Sequence, residues 1–333
     1  MAVGRTEYAD ISPRSRGWMV RRMLSVGKQL LVSDMFGQKY VFPKKTGQMA
    51  IFRRYMRLPL VAAPLAEGVT PDPTQLVKED VACTLQQWGA WVELTDVIMD
   101  THEDPVWQQT SERLGTQMAE TVEWIRWQTL VTGTNVVYAN GAARAAVNTV
   151  VARGDFVLAS RTLQQNLARH MTRLVAPSPK YNTFAVRAAY WGVTHTDMED
   201  DVRQCGGFIA SEDYGTPSKI EGEIGKVGDV RVICTTTVPY WAGAGAAGGV
   251  NVLETGGNAD VYPIVIFGED AYGVVPLAGY DSFKLLVLQP GVARGGDQLG
   301  QLGSAGWKTW QAIVILNDSW LERIESACTA VPA

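Results

Sequence analysis

An α+β fold follows from three features of the 333-residue sequence. Two long extended stretches, residues 48–57 and 80–95, come early. One unusually long helical stripe follows over 105–132. Strand-like and helical pieces then mix without the regular alternation that a doubly wound parallel sheet requires.

The elements are justified in chain order. Met19, Val20, Met23, Leu24, Leu30 and Leu31 recur at helical spacing and predict a short amphipathic helix over 18–32, interrupted by Gly27. In the extended stretches Val81, Cys83 and Leu85 alternate with Ala82, Thr84 and Gln86, and Arg53, Tyr55 and Arg57 share one face. Gly89 is expected to mark a bulge or bend. Between the stretches lies a tip, 58–79, punctuated by Pro59, Pro64, Gly68, Pro71 and Pro73. A two-stranded hairpin of this kind has no core of its own and is marginal in water, so it is expected to lie across another surface.

The helix at 105–132 has the clearest local grammar. Asp104 can cap it, Pro105 opens it and Gly133 ends it. Trp107, Leu114, Met118, Val122 and Ile125 form its apolar stripe, with Trp124 and Trp127 beside it. A second helix is expected at 160–174, carrying Leu163, Leu167, His170 and Met171. Strands are expected at 183–193, 230–236, 261–267, 282–289 and 307–316, and a short acidic helix at 196–204. In the last strand Trp310, Ala312, Val314 and Leu316 share a face.

Composition narrows the function. Apolar residues make up 46 % and charged residues 19 %, enough for a substantial core. The net charge of −4 argues against a basic, nucleic-acid-reading body. It hides an asymmetry: residues 1–60 hold twelve basic and three acidic side chains, net +9, and the remainder is net −13. A basic arm on an acidic body suggests an anionic partner or self-association. No secretory h-region and no run of 18 apolar residues occurs, so no membrane partner is expected. Cys83, Cys205, Cys234 and Cys328 are far apart, which suits small core thiols better than a zinc site or disulfide framework.

Motifs of chemistry are weak. Gly243-Ala-Gly245-Ala-Ala-Gly248 matches the dinucleotide pattern, but a Pro239-Tyr240-Trp241 lead-in and the glycines at 249, 256 and 257 suit a flexible loop better than a strand–turn–helix. Gly222-Glu-Ile-Gly225-Lys226-Val-Gly228 reads as a turn between strands. His195 with Asp197, Glu199, Asp200 and Asp201 reads as a solvated acidic helix, and His170 as a semi-buried histidine. No catalytic residue, cofactor or metal is expected.

A set of ordered motifs then resembles a known family. It begins with Lys44-Lys45-Thr46-Gly47-Gln48-Met49-Ala50-Ile51-Phe52-Arg53-Arg54-Tyr55 and continues with Pro64-Leu65-Ala66-Glu67-Gly68-Val69-Thr70-Pro71. Gln87-Trp88-Gly89 and Thr132-Gly133-Thr134 follow. Glu221-Gly222-Glu223-Ile224-Gly225 comes next, with Gly228 and Arg231, and then Ala271-Tyr272-Gly273-Val274-Val275-Pro276-Leu277. Gly306-Trp307-Lys308 and Ile315-Leu316-Asn317 close the series. Across residues 35–325 the sequence resembles the major capsid proteins of N4-like tailed bacteriophages, similar in fold to the Hong Kong 97-type shell protein. Residues 242–258 look like an insertion in that pattern.

The resemblance implies a division into an N-terminal arm (1–40), an extended E-loop (41–95), a peripheral (P) domain with its spine helix (96–133), an axial (A) domain (134–280) and P-domain return strands (281–333). It implies a structural subunit that self-assembles into hexamers and pentamers of an icosahedral head around double-stranded DNA. Arg21, Arg22, Arg53, Arg54 and Arg57 are expected at contacts between subunits, with Glu67 a counter-charge near the tip. The expected partners are copies of itself, a portal protein, a separate scaffolding protein, a decoration or cement protein, and packaged DNA bound non-specifically. The short segment before the recognisable region suggests that no scaffolding domain is fused to the chain. The expected location is the virion shell, assembled in the host cytoplasm. Two alternatives remain: an encapsulin-like cargo compartment, and a dinucleotide-binding enzyme using the glycines at 243–248.

Overall fold

The computed structural model describes residues 32–62, 64, 67–68, 70–101, 105–171, 189–213, 222–249, 251–278, 284–291 and 295–330. The helix expected at 18–32, with Arg21 and Arg22, lies outside them except for its last residue. So do His102, Asp104 and residues 183–188.

In chain order the first elements are β1 (Gln38–Lys39), β2 (Met49–Tyr55), β3 (Lys78–Thr84), β4 (Gln86–Thr95), α1 (Asp96–Thr101), α2 (Val106–Leu130) and β5 (Val136–Tyr138). Then come α3 (Arg153–Gln165), β6 (Tyr190–Thr194), α4 (Glu199–Gln204), β7 (Phe208–Ala210), β8 (Glu223–Val227) and β9 (Val230–Cys234). β10 (Glu254–Thr255), β11 (Asn258–Ala259), β12 (Val261–Phe267), β13 (Tyr272–Pro276), β14 (Lys284–Leu288), β15 (Leu302–Ile315) and β16 (Leu321–Ala327) complete the chain. The mixture is the α+β architecture expected.

Two sheets organise the molecule. A seven-stranded sheet runs β5-β16-β12-β6-β9-β8-β7, and a five-stranded sheet runs β1-β13-β15-β14 with β4 also paired to β15. The sheets do not follow the expected division at residue 280. β13, inside 134–280, joins the five-stranded sheet, and β16, inside 281–333, joins the seven-stranded one. The reason is non-local pairing: every residue of β16 is buried against β12 in an antiparallel ladder from Val261↔Ala327 to Phe267↔Leu321.

α2 is the rod the stripe predicts, 25 residues and roughly 37 Å long. Leu114 and Met118 pack on Val287, Ala305 and Trp307 of the five-stranded sheet. Further along, Trp127 and Leu130 enter a second cluster with Phe36, Trp191, Val265, Phe267 and Tyr272, where the two sheets meet. Trp127 is fully buried while Trp124 is half exposed, so only one of the two flanking tryptophans belongs to the core. The helix ends against Arg323, whose Nη1 donates to the carbonyls of Val131 and Gly133. A cation there complements the negative helix end.

Three local expectations change. The extended stretch 80–95 breaks at Leu85, whose N–H donates to Gln48 O, rather than at Gly89. Gly89 sits in regular ladder opposite Lys308, and a Cβ there would lie 2.7 Å from Trp307 O, so close backbone approach explains it. The helix expected at 160–174 spans Arg153–Gln165. It starts where Asp155 accepts from the Ala152 N–H at 2.8 Å. It stops in a Schellman closure, with Ala168 N–H bonded to Leu163 O and Leu167 left-handed at φ +59°.

The third concerns the Gly/Ala run, which is packed rather than flexible. Gly243 N–H donates to Asp260 Oδ1 at 2.6 Å, Gly245 N–H to Ala259 O and Ala246 N–H to Val147 O. A Cβ on Gly245 would run into the Val147 and Ala259 carbonyls. Small residues are needed because two backbone segments close on this loop.

Candidate assembly interface

β2 and β3 form the hairpin that the early extended stretches predict, in antiparallel register from Met49↔Thr84 to Tyr55↔Lys78. Strand alternation divides it into two faces. On the inner face Ala50 and Cys83, with Phe52 beside them, pack on Phe42, Leu85, Val275 and Ala312, underlain by Trp310 and Val314. The shared face read along 310–314 is therefore the seat of the hairpin root. The outer face presents Met49, Ile51 and Tyr55, exposed to 58, 59 and 61 %. Past the last ladder bond, Met56 N–H to Val77 O, the two arms continue without regular pairing. Leu60 and Val61 near the tip are 84 and 88 % exposed.

The charged residues expected at subunit contacts are placed as follows. Arg53 donates from Nε and Nη2 to the two carboxylate oxygens of Asp80 at 2.7 and 3.0 Å. Arg54 Nε donates to Glu79 Oε2 at 2.7 Å, and Lys78 adds a second cation beside Asp80 at 3.3 Å. The hydrogen bond from Arg53, then Lys78, holds the Asp80 carboxyl below the usual range. Both arginines thus have counter-charges inside their own hairpin. Exposed cross-strand pairs add little stability, and their main effect here is to reinforce register. Arg57 is exposed beyond the ladder. Glu67 is exposed in the tip turn beside Gly68, at φ +76°. The acidic partners were readable in principle: aligning the two stretches antiparallel sets Arg53-Arg54 against Glu79-Asp80.

Two concave features adjoin the hairpin. A groove of about 550 Å³ runs beneath it, between Phe52, Met56 and Arg57 on one side and Leu167, Asp270 and Trp320 on the other. On the sheet face opposite α2, Gly89 and Gly306 leave a trough beside Trp91, whose ring is 66 % exposed.

Buried ion pairs tie the strands of the interior together. Glu223 and Arg231, both in the family-like motif, form a buried ion pair (2.6 and 2.8 Å) across the β8–β9 hairpin. The stretch expected to be a turn is therefore mostly strand β8, Glu223–Val227, and only Gly228, at φ +61°, lies in the turn to β9. Glu325, fully buried, accepts from Arg144 at 2.7 and 2.8 Å and from Arg323 at 2.7 Å. Arg144 stacks on Trp241, 3.5 Å from the ring centroid. The run at 243–248 follows an isolated bridge at Trp241 and opens no helix, which does not fit a dinucleotide fingerprint. His195 Nδ1 accepts from the Asp197 N–H at 3.2 Å, and Asp197 Oδ2 accepts from the Tyr262 hydroxyl at 3.0 Å. Burial pushes the Cys234 thiol up to about 12 and Cys205 to about 11, the inert range. Among the described residues no cluster of metal-ligating side chains occurs, and no helix is long and apolar enough to cross a membrane.

No curated protein matches this sequence. The fold is similar to the capsid of Ralstonia phage GP4, with TM-score 0.65 and 13 % identity over 89 % of this chain and 88 % of that one. It is similar to the capsid protein of cyanophage Pam1, with TM-score 0.58 and 12 % identity over 99 % of this chain and 98 % of that one. The capsid protein of cyanophage P-SCSP1u gives TM-score 0.57 and 14 % identity over 90 % and 89 %. These likenesses establish the Hong Kong 97-type fold that the resemblance implied. A family model described as phage capsid protein matches residues 78–300, more than half of the chain. With that match, on a fold that carries a protruding hairpin, the chain belongs to the phage capsid protein family.

Proposed function

We propose that this capsid protein tiles an icosahedral head as hexamers and pentamers, each hairpin lying as an E-loop across a neighbouring subunit. The observation that carries this reading is the outer face of the hairpin. Met49, Ile51 and Tyr55, with the Arg53–Asp80 pair between the last two, line a strip that nothing in the chain covers among the described residues, on a ribbon anchored at its root. The five-stranded sheet with α2 corresponds to the P domain, and the seven-stranded sheet to the A domain. Because Arg53 and Arg54 already hold partners, their subunit contacts are those of neutralised pairs, and Arg57 is the more available cation. The basic residues Arg21 and Arg22 are assigned to contacts with neighbours or with packaged double-stranded DNA. The role is structural, with no bond made or broken. A portal, a separate scaffolding protein and a decoration protein complete the partner set, and assembly takes place in the host cytoplasm.

Electron microscopy of the full chain, produced with its neighbouring head proteins, tests this reading. Closed shells or ring-shaped capsomers are expected. A strictly monomeric chain at high concentration refutes it. Particles enclosing a cargo enzyme instead of DNA transfer the chain to the compartment alternative. Correctly sized shells from this chain alone remove the separate scaffolding protein.

A further inference from the structure

The chain segment just before β1 is held to the body by a buried polar clip. Residues 33–35 form one 3-10 turn against the C-terminal third of α2. The Ser33 N–H and hydroxyl both donate to Glu123 Oε1, at 3.0 and 2.6 Å. Arg126 Nη1 donates to Ser33 Oγ at 3.1 Å, while Nη2 reaches Gln311 Oε1 at 3.1 Å and Asp34 Oδ1 at 3.2 Å. The Tyr272 hydroxyl donates to Ser33 O at 2.7 Å. Ser33 and Glu123 are fully buried and Arg126 nearly so.

This clip is short of positive charge at one point. Glu123 and Asp34 share the single buried guanidinium, and it is turned toward Asp34 and Gln311. Its nearest approach to Glu123 is 3.9 Å. Lys39 answers Asp34 from the solvent side at 3.5 Å. The groups facing Glu123 are Arg126 on its own helix, Asp34 and Ser33 from the N-terminal segment, and Tyr272 from β13. β15 presents the neutral Gln311 and Thr309. Glu123 Oε2 makes no well-formed hydrogen bond among the described residues; the Trp127 indole beside it opposes protonation, but less than Arg126 and Ser33 do, and its Nε1 completes no bond either. An unpaired oxygen of a buried carboxylate is costly, and a proton removes the cost.

We propose that seating residues 32–36 on α2 is coupled to uptake of one proton by Glu123. The proton goes to Oε2, so Oε1 keeps both Ser33 donors. Burial raises this carboxyl above its ordinary value when the segment is seated, and unseating returns it to water. The seated form therefore binds the proton more tightly. Seating strengthens as pH falls toward the ordinary carboxylate range and weakens as pH rises through the raised value. The attachment of residues 32–36 thereby answers to pH, independently of how shells assemble.

Amide exchange of residues 32–36 in the full-length, unassembled chain tests this. Protection would be corrected for intrinsic rates and referenced to β12. As pH rises from 5.5 to 8.5 the wild type is expected to lose protection at these amides. Glu123→Gln, which keeps an oxygen acceptor for Ser33 but cannot ionise, should retain protection and show no pH dependence. A flat wild-type profile, or an unchanged pH dependence in Glu123→Gln, overturns the proposal. Carbon NMR titration of Glu123 in the wild type gives a measurement that needs no variant, and an ordinary carboxylate value there also overturns it.

Discussion

Replacing Ile51 by Ser perturbs association while leaving the folded subunit intact. Ile51 is 59 % exposed on the outer hairpin face and paired across the ribbon with Ala82, so it adds little to the subunit's own core. Full burial of an isoleucine side chain stabilises by about 1.5–3 kcal/mol, and the exposed fraction corresponds to roughly 0.9–1.8 kcal/mol if a neighbour covers it. In a closed shell each subunit offers one hairpin, so the loss applies once per subunit. At about 1.4 kcal/mol per tenfold, the concentration needed for assembly should rise roughly 5- to 20-fold. Sedimentation across a concentration series measures that threshold, and thermal melting of the unassembled chain is the control. An unchanged threshold shows that the outer face is not an interface. A lowered melting temperature shows that Ile51 serves the subunit itself.

Two further outcomes follow from the interior. Glu322 is almost fully buried with Oε2 unpartnered, and burial, with Asp318 nearby, lifts its carboxyl to about 7. Its folded value lies above the unfolded one of 4.5, so stability is intact below the unfolded value and is lost as pH rises through about 7. Glu322→Gln should therefore melt higher at pH 8.5, by about 1–2 kcal/mol once solvent screening is allowed for, and nearly unchanged at pH 4.5. An equal difference at both pH values contradicts this. Gly245→Ala should destabilise by about 1–3 kcal/mol, because its methyl meets the Val147 and Ala259 carbonyls. Denaturant titration measures it, and a neutral result would mean the loop yields as a flexible one does.

Legibility in the sequence followed the range of the interactions. The α2 stripe of Leu114, Met118 and Val122 was visible because helical neighbours lie three or four residues apart. All three are buried as expected. The hairpin was visible because alternation is local too. Its two faces were not separable, since Arg53 and Arg54 sit on opposite faces and obscure the apolar contrast. Their pairing with Asp80 and Glu79 depends on register across an unpaired tip, which alternation within one strand does not specify. The Gly/Ala run was misread for a related reason. Glycine at Gly245 signals either freedom or crowding, and only the carbonyls of Val147 and Ala259, distant in the chain, distinguish the two.

The sequence by itself determined the α+β class, the protruding hairpin, the overlong helix and, through ordered motifs, the shell-protein family. These rest on local periodicity and on short segments read in order. Only the tertiary structure decided which strands share a sheet, so that β13 and β16 change sides. It also decided which charges are buried together. Ser33, Glu123, Arg126 and Gln311 meet from three distant segments, as do Arg144, Arg323 and Glu325 from two. A charged side chain looks the same in a sequence whether water or a guanidinium surrounds it. Its cost and its role are set by desolvation and by the partner that long-range packing brings within hydrogen-bond reach.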